Sequence, residues 1–467
     1  MELRLFNTMG REIQRFEPIE KGKVAMYACG PTVYNYAHIG NLRAYLVEDI
    51  LRRTLEYFGY SVSHVMNITD VGHLTDDADA GEDKMLQSAR KRKKTVWEIA
   101  DFYTKAFFND TDRLHIKRPT KTPKATDHIG DMIGLIKKLE KRGYTYQSGG
   151  NIYFDISKFP DYGKLSLLDR QDLQAGARID VDEKKKNPHD FVLWFTKGKF
   201  ENQTMVWDSP WGRGYPGWHI ECSAMSMRYL GDKFDIHCGG IDHIPVHHTN
   251  EIAQSEGATG KTWVQYWVHN EFLVMDKGKM SKSKGGFITL DTLISEGYDA
   301  LDYRYFNLTG HYRSQLAFSY NALDTARAAR KNLTERVARL FEQAKPADSN
   351  SLSDQAVDYL NSFRDNLAND LNTPKCLSTL WGAVKDETLA AEESLAVALE
   401  MDGILGLDLE HAGNTEEISE EIASLIKERE QARKEKNFAR ADEIRDYLQE
   451  QGIELEDTPE GTRWKRI

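Results

Sequence analysis

The chain has 467 residues, 40% hydrophobic and 29% charged, which excludes a single small core and predicts roughly two to four globular domains. Its 62 Lys and Arg against 73 Asp and Glu leave a net charge of −11, which excludes indiscriminate coating of nucleic acid but not an RNA partner held on local basic patches. No run of about 18 apolar residues occurs and the start, Met1 to Phe6, lacks a basic-then-apolar leader, so the expectation is a cytoplasmic protein with no membrane partner.

Residues 23–29 read as a short buried strand, broken at Gly30-Pro31. Apolar residues at 42, 46, 50, 51 and 55 predict a helix from Leu42 to Phe58, with Gly59 at its C-terminal end. A second strand fits Ser61 to Ile68. Strand, turn, helix and strand within about fifty residues begin a doubly wound α/β sheet, whose ligands bind at the carboxyl ends of the strands. The acidic stretch 74–84 lacks calcium-loop spacing and reads as a solvated loop. From Lys117 to Lys199 a helix (Ala125 to Arg142) and aromatic strands (Gly150 to Ile156) look like a domain inserted into the sheet, with Trp207 to Trp218 marking the return. After Ser314 helical spacing over 319–345 and 352–402 predicts a bundle. A linker at 410–418 leads to a terminal unit, 419–467, of two short helices and a strand with its turn.

Two separated segments carry the chemistry. His38-Ile39-Gly40-Asn41 puts an imidazole and a glycine where the first helix begins, and Lys279-Met280-Ser281-Lys282-Ser283 puts two lysines and two hydroxyls on a glycine-flanked loop. Together they suit a nucleoside triphosphate. His247 and Glu251 are four apart, on one face of a helix, and make half of a metal site. Four cysteines occur, Cys29, Cys222, Cys238 and Cys376, with no C-x-x-C pair and no disulfide expected. If the sheet joins the strand ends, Cys29 and Cys222 complete a Cys₂-His-Glu site; two core cysteines and a capped histidine are the alternative on spacing alone. Three basic runs, at 90–94, at 117–124 and at 184–186, are either solvated faces or phosphate contacts.

The chain resembles the cysteinyl-tRNA synthetases, a family of class I aminoacyl-tRNA synthetases, over nearly its whole length. The resemblance rests on Tyr27-Ala28-Cys29-Gly30-Pro31-Thr32-Val33-Tyr34 leading to His38–Asn41, on Trp218 to Met225, on Asn250 to Ser255, on the Lys279–Ser283 loop, and on Ala441–Arg445 and Glu456–Gly461. It implies a Rossmann-like doubly wound parallel sheet split by a connective domain, then a helical bundle and a small C-terminal α/β unit. The implied boundaries are 1–116 and 206–265 for the two sheet halves, 117–205 for the insertion, 266–315 for the lysine loop and stem contact, 316–409 for the anticodon-stem bundle and 419–467 for the anticodon unit.

The same resemblance implies ATP-dependent activation of L-cysteine to cysteinyl-adenylate and transfer to the terminal ribose of tRNA(Cys). One zinc would be held by Cys29, Cys222, His247 and Glu251, and magnesium would accompany ATP. A metal-bound thiol is deprotonated outright, and serine and alanine offer no comparable ligand, so discrimination of about 10⁴ or more needs no editing domain. Catalytic roles fall on His38, Asn41, Lys279 and Lys282, and ATP contacts on His38, Gly40, Asn41, Lys282 and Asp242. Substrate cysteine would meet Trp218, Thr69 and Gly30, and the anticodon Arg433, Asp442 and Asp457. A monomer is expected. The chain departs from the common family pattern at Asp70-Val71-Gly72-His73 and at His237-Cys238-Gly239-Gly240.

Overall fold

The computed structural model describes residues 2–72, 84–167, 184–196, 205–275, 287–348, 351–413, 420–435, 437–450, 453–458 and 461–466. The acidic residues Asp76 to Asp83, and Lys279 and Lys282, lie outside them. Two compact units form, residues 1–409 and 410–467. Among the described residues no helix is long and apolar enough to cross a membrane.

The first unit opens with an antiparallel pair, β1 (Arg4–Asn7) and β2 (Glu12–Arg15). There follow β3 (Lys23–Ala28), α1 (Ile39–Tyr57), β4 (Ser61–Met66), α2 (Lys84–Arg92), α3 (Val96–Arg113) and α4 (Ile129–Lys141). Next come β5 (Thr145–Ser148), β6 (Asn151–Phe154), β7 (Phe191–Phe195) and β8 (Tyr215–Pro216). Then follow α5 (Trp218–Leu230), β9 (Phe234–Gly240), a π-helical turn (Ile244–His248), α6 (Thr249–Thr259) and β10 (Val264–Asn270).

Strands β10, β9, β3 and β4 lie side by side in that order and all parallel. The chain winds outward from β3 to β4 on one side and from β9 to β10 on the other. The direction of winding therefore reverses between β3 and β9, where open α/β sheets place their ligands. Strand β9 is buried from Phe234 to Gly239, as expected of a parallel strand covered on both faces.

Helix α1 starts at Ile39, three residues before the apolar pattern predicts. The reason is a capping box: Asn41 N–H donates to His38 Nδ1 (3.1 Å), and His38 N–H donates to Asn41 Oδ1 (3.2 Å). The inserted region forms a separate antiparallel sheet in the order β5-β6-β7-β8. Its last strand is Tyr215–Pro216, so that sheet runs past residue 205, and β10 carries the parallel sheet past 265 to Asn270.

Strands β11 (Leu273–Met275) and β12 (Leu316–Phe318) pair in parallel around α7 (Leu290–Ser295) and α8 (Ala300–Leu308). A bundle follows: α9 (Tyr320–Gln343), α10 (Asp354–Ala368), α11 (Thr373–Lys385) and α12 (Ala391–Leu405). In the second unit α13 (Glu420–Lys434) and α14 (Phe438–Glu450) precede a hairpin of β13 (Ile453–Thr458) and β14 (Gly461–Arg466). The expected single strand and turn is thus a two-stranded ribbon. Ile426, Ile444, Leu448 and Ile453 form its small core.

Candidate active site and metal centre

A cavity of about 510 Å³ opens at the point where the sheet reverses its winding. Cys29 lies just past β3, Cys222 on α5, His247 in the π-helical turn and Glu251 on α6. All four are buried, and one ligand atom from each lies within 4.8 Å of the others. His247 Nε2 and Glu251 Oε1 are 2.6 Å apart, and Cys29 Sγ is 3.9 Å from the same Oε1. Two sulfurs, an imidazole and a carboxylate could together hold a metal ion.

The electrostatics suit donors waiting for a cation. Burial and the neighbouring Cys222 push the Cys29 thiol up, while the hydrogen bond from Cys29 outweighs burial and draws Cys222 down. Burial opposes ionisation of Glu251, but His237 and His247 outweigh it and hold the carboxyl below its ordinary value. His237 Nε2 lies 2.7 Å from Glu251 Oε2, and His219 Nδ1 lies 2.9 Å from His247 Nδ1. These are outer partners that orient the inner donors. His248 adds a contact to Cys29 Sγ at 3.4 Å and bonds His269 at 2.8 Å. Sequence reasoning missed this histidine shell; its signal was the density of histidines between 219 and 269.

Next to the donors, Trp218 packs on His247 with ring centroids 4.6 Å apart. Asn67 Nδ2 donates to Thr69 Oγ1 (2.9 Å), and Thr69 Oγ1 donates to Glu221 (3.1 Å). Gly30 N–H donates to Asn67 Oδ1 at 2.9 Å, and a Cβ at residue 30 would stand 1.7 Å from the Asn67 carbonyl oxygen. Only glycine fits there, so the backbone itself lines the cavity. Trp218, Thr69 and Gly30 thus share one wall with the metal donors.

His38, Gly40, Asn41 and Asp242 line the same cavity from the other side. Burial, opposed by the nearby Asp242, lowers the His38 pKa below its ordinary value. Phe287, which sequence reasoning did not single out, stacks on His38 at 5.1 Å, and Ile39 N–H donates to Ile288 (2.9 Å). Leu273 and Phe287, from the described segments on either side of the lysine loop, both line the cavity. Arg433 and Asp442, on the second unit, are exposed on α13 and α14, and Asp457 lies on β13.

Residues 15–328 match the class I (C) tRNA synthetase catalytic domain, and residues 415–464 match the cysteinyl-tRNA ligase anticodon binding domain. The chain belongs to the cysteine–tRNA ligase family. It is 56% identical to the cysteine–tRNA ligase of Treponema denticola and 47% identical to that of Borreliella burgdorferi, each over the full length of both chains. Among solved structures, methionyl-tRNA synthetase of Mycobacterium tuberculosis in complex with methionyl-adenylate superposes with a TM-score of 0.57 at 15% identity, covering 84% of this chain and 92% of that one. That likeness shows the class I fold. The family and fold expected from the signature segments are therefore those found.

Proposed function

We propose that this chain ligates L-cysteine to tRNA(Cys) in two steps, in the cytoplasm, with a zinc ion choosing the amino acid by its thiolate. The observation that carries the reading is the meeting of two thiols, an imidazole and a carboxylate, all buried, on the wall of the cavity that begins at His38. Cys29, Cys222, His247 and Glu251 would hold the zinc, which supplies a Lewis-acidic position for one further sulfur ligand.

The chain's own residues do the rest. Trp218 closes the side-chain pocket, and Thr69 and the Gly30 backbone position the amino acid. Gly40 lets the nucleotide approach the start of α1, where His38 and Asn41 meet its phosphates and ribose region and Asp242 also contacts the ATP. Lys279 and Lys282 neutralise charge on the triphosphate, bound with magnesium, as the cysteine carboxylate attacks the α-phosphorus and pyrophosphate leaves. Losing one such preorganised contact costs about 3 kcal/mol of transition-state stabilisation. The 3′-terminal ribose hydroxyl of tRNA then takes the cysteinyl group and AMP departs. The boundaries 1–116, 117–205, 206–265, 266–315, 316–409 and 419–467 give the working division of labour, the last two meeting the anticodon stem and loop, with Arg433, Asp442 and Asp457 reading exposed base edges.

The test is cysteine-dependent pyrophosphate exchange followed by charging of a tRNA(Cys) transcript. We expect exchange with cysteine, none above background with serine, and stable cysteinyl-tRNA. Absence of exchange, or exchange whose product is passed to an amino-sugar but not to tRNA, overturns the reading.

A further inference from the structure

Three basic runs punctuate this acidic chain, and the structure separates them. In the run at 117–124, Lys117 pairs with Glu56 (2.6 Å), Arg118 with Asp112, and Lys124 with Asp101 (3.2 Å). In the run at 184–186, Lys186 lies over the Tyr146 ring and 3.8 Å from Asp155. The run at 90–94 differs. Arg90, Lys91, Arg92, Lys93 and Lys94 are all exposed, and none makes an ion pair among the described residues.

Helix-dipole complementarity accounts for Arg90 to Arg92 in the last turn of α2. It does not account for Lys93 and Lys94, which lie beyond the helix, or for Trp97, which is 51% exposed beside them. The run is also anchored. Arg92 stacks over Tyr36, Phe102 and Tyr103 at 5.7, 5.1 and 5.1 Å, and Lys94 over Phe102 at 5.1 Å. Tyr36 and Tyr103 line the active-site cavity. Five cations with no ion pair among the described residues thus stand at the rim of the cavity to which the acceptor ribose must be brought, two of them held by aromatic rings, next to an open indole.

We propose that residues 90–97 bind the single-stranded 3′ end of the tRNA, with Arg90, Lys91 and Lys93 on successive phosphates and Trp97 as a stacking platform for a base. This inference rests on the function proposed above. A run of phosphates with an exposed aromatic ring is the pattern of single-strand recognition, because every base has a face to stack and every linkage a charge.

The experiment compares the parent with the triple variant Arg90→Gln, Lys91→Gln, Lys93→Gln. Arg92 and Lys94 stay in place to preserve their stacks. Pyrophosphate exchange, which needs no tRNA, should be unchanged, reporting an intact fold and nucleotide site. The KM for tRNA in charging should rise roughly ten- to fortyfold at about 0.15 M salt, with kcat little altered. The slope of log affinity against log salt should fall by about 2, three contacts at roughly 0.7 each. Removing the last four nucleotides of the tRNA should weaken binding to the parent several-fold more than binding to the variant, which keeps only the Trp97 stack. An unchanged KM and salt slope overturn the proposal, as does a variant that still distinguishes whole from shortened tRNA as well as the parent does. Failure of cysteine-dependent exchange in the parent would instead overturn the underlying function, so the two failures are distinguishable.

Discussion

His64 is buried on β4 with neither ring nitrogen hydrogen-bonded to a described residue. Burial, helped by Arg52, pushes its pKa down to about 3. In the unfolded chain the same ring titrates near the ordinary value of about 6.5. The folded state therefore binds fewer protons between those values. Stability attributable to this residue is intact above pH 6.5 or so and is lost as pH falls toward 3, by up to about 1.4 kcal/mol per pH unit. We predict that His64→Leu flattens the decline of thermal stability between about pH 6 and pH 4; a decline as steep as the parent's would refute this assignment. Glu48 is the opposite case. Its buried carboxyl has no hydrogen-bond partner among the described residues, and burial holds its pKa well above the ordinary value. Neither residue's state was readable from the sequence, because an amphipathic pattern reports which face is buried and not whether a polar group there finds a partner.

At the scale of elements, one guanidinium ties the sheet half to the bundle. Arg304 on α8 reaches Asp49 on α1 at 2.6 Å, the carbonyl of Leu405 at the end of α12 at 2.6 Å, and the Leu114 carbonyl past α3 at 2.8 Å. Both charges are buried, and Asp49, despite burial, is held below its ordinary pKa chiefly by Arg304 and Arg53. Removing Arg304 leaves Asp49 with Arg53 and deprives the Leu405 and Leu114 carbonyls of their donor, at a cost approaching the roughly 3–5 kcal/mol of a broken buried pair. Arg304→Leu should lower stability by that amount in denaturant unfolding, whereas Arg440→Leu, whose pairs with Glu428 and Glu443 are exposed, should change it little. Equal effects would contradict the role given to burial.

Element positions in this half were largely legible, since β3, α1 and β4 announce themselves by a buried run and a helical period. Their boundaries were less so. The capping box moves the start of α1 to Ile39 through a histidine, a residue not usually counted among capping types. His247 and Glu251 are four apart in sequence but span a π-helical turn and the start of α6, not one regular helix. Extra-residue turns of this kind recur at functional sites and carry no spacing signature.

For the whole molecule, the order of the strands does what no local pattern can. Cys29 and Cys222 are nearly two hundred positions apart, and only the reversal of winding between β3 and β9 explains why donors from α5, the π-helical turn and α6 converge on the residue after β3. Spacing left that site open beside a bland alternative, and the family resemblance nominated its four residues. The geometry adds the histidine shell and the shared cavity. The central claim is that this donor set selects cysteine. It is tested most directly by Cys222→Ser, measuring bound zinc per chain together with the KM values for cysteine and serine in pyrophosphate exchange. The account predicts loss of zinc and a rise in cysteine KM of about 100-fold or more, collapsing a cysteine-to-serine preference of about 10⁴. A variant that keeps its zinc and the parent's cysteine KM would contradict it.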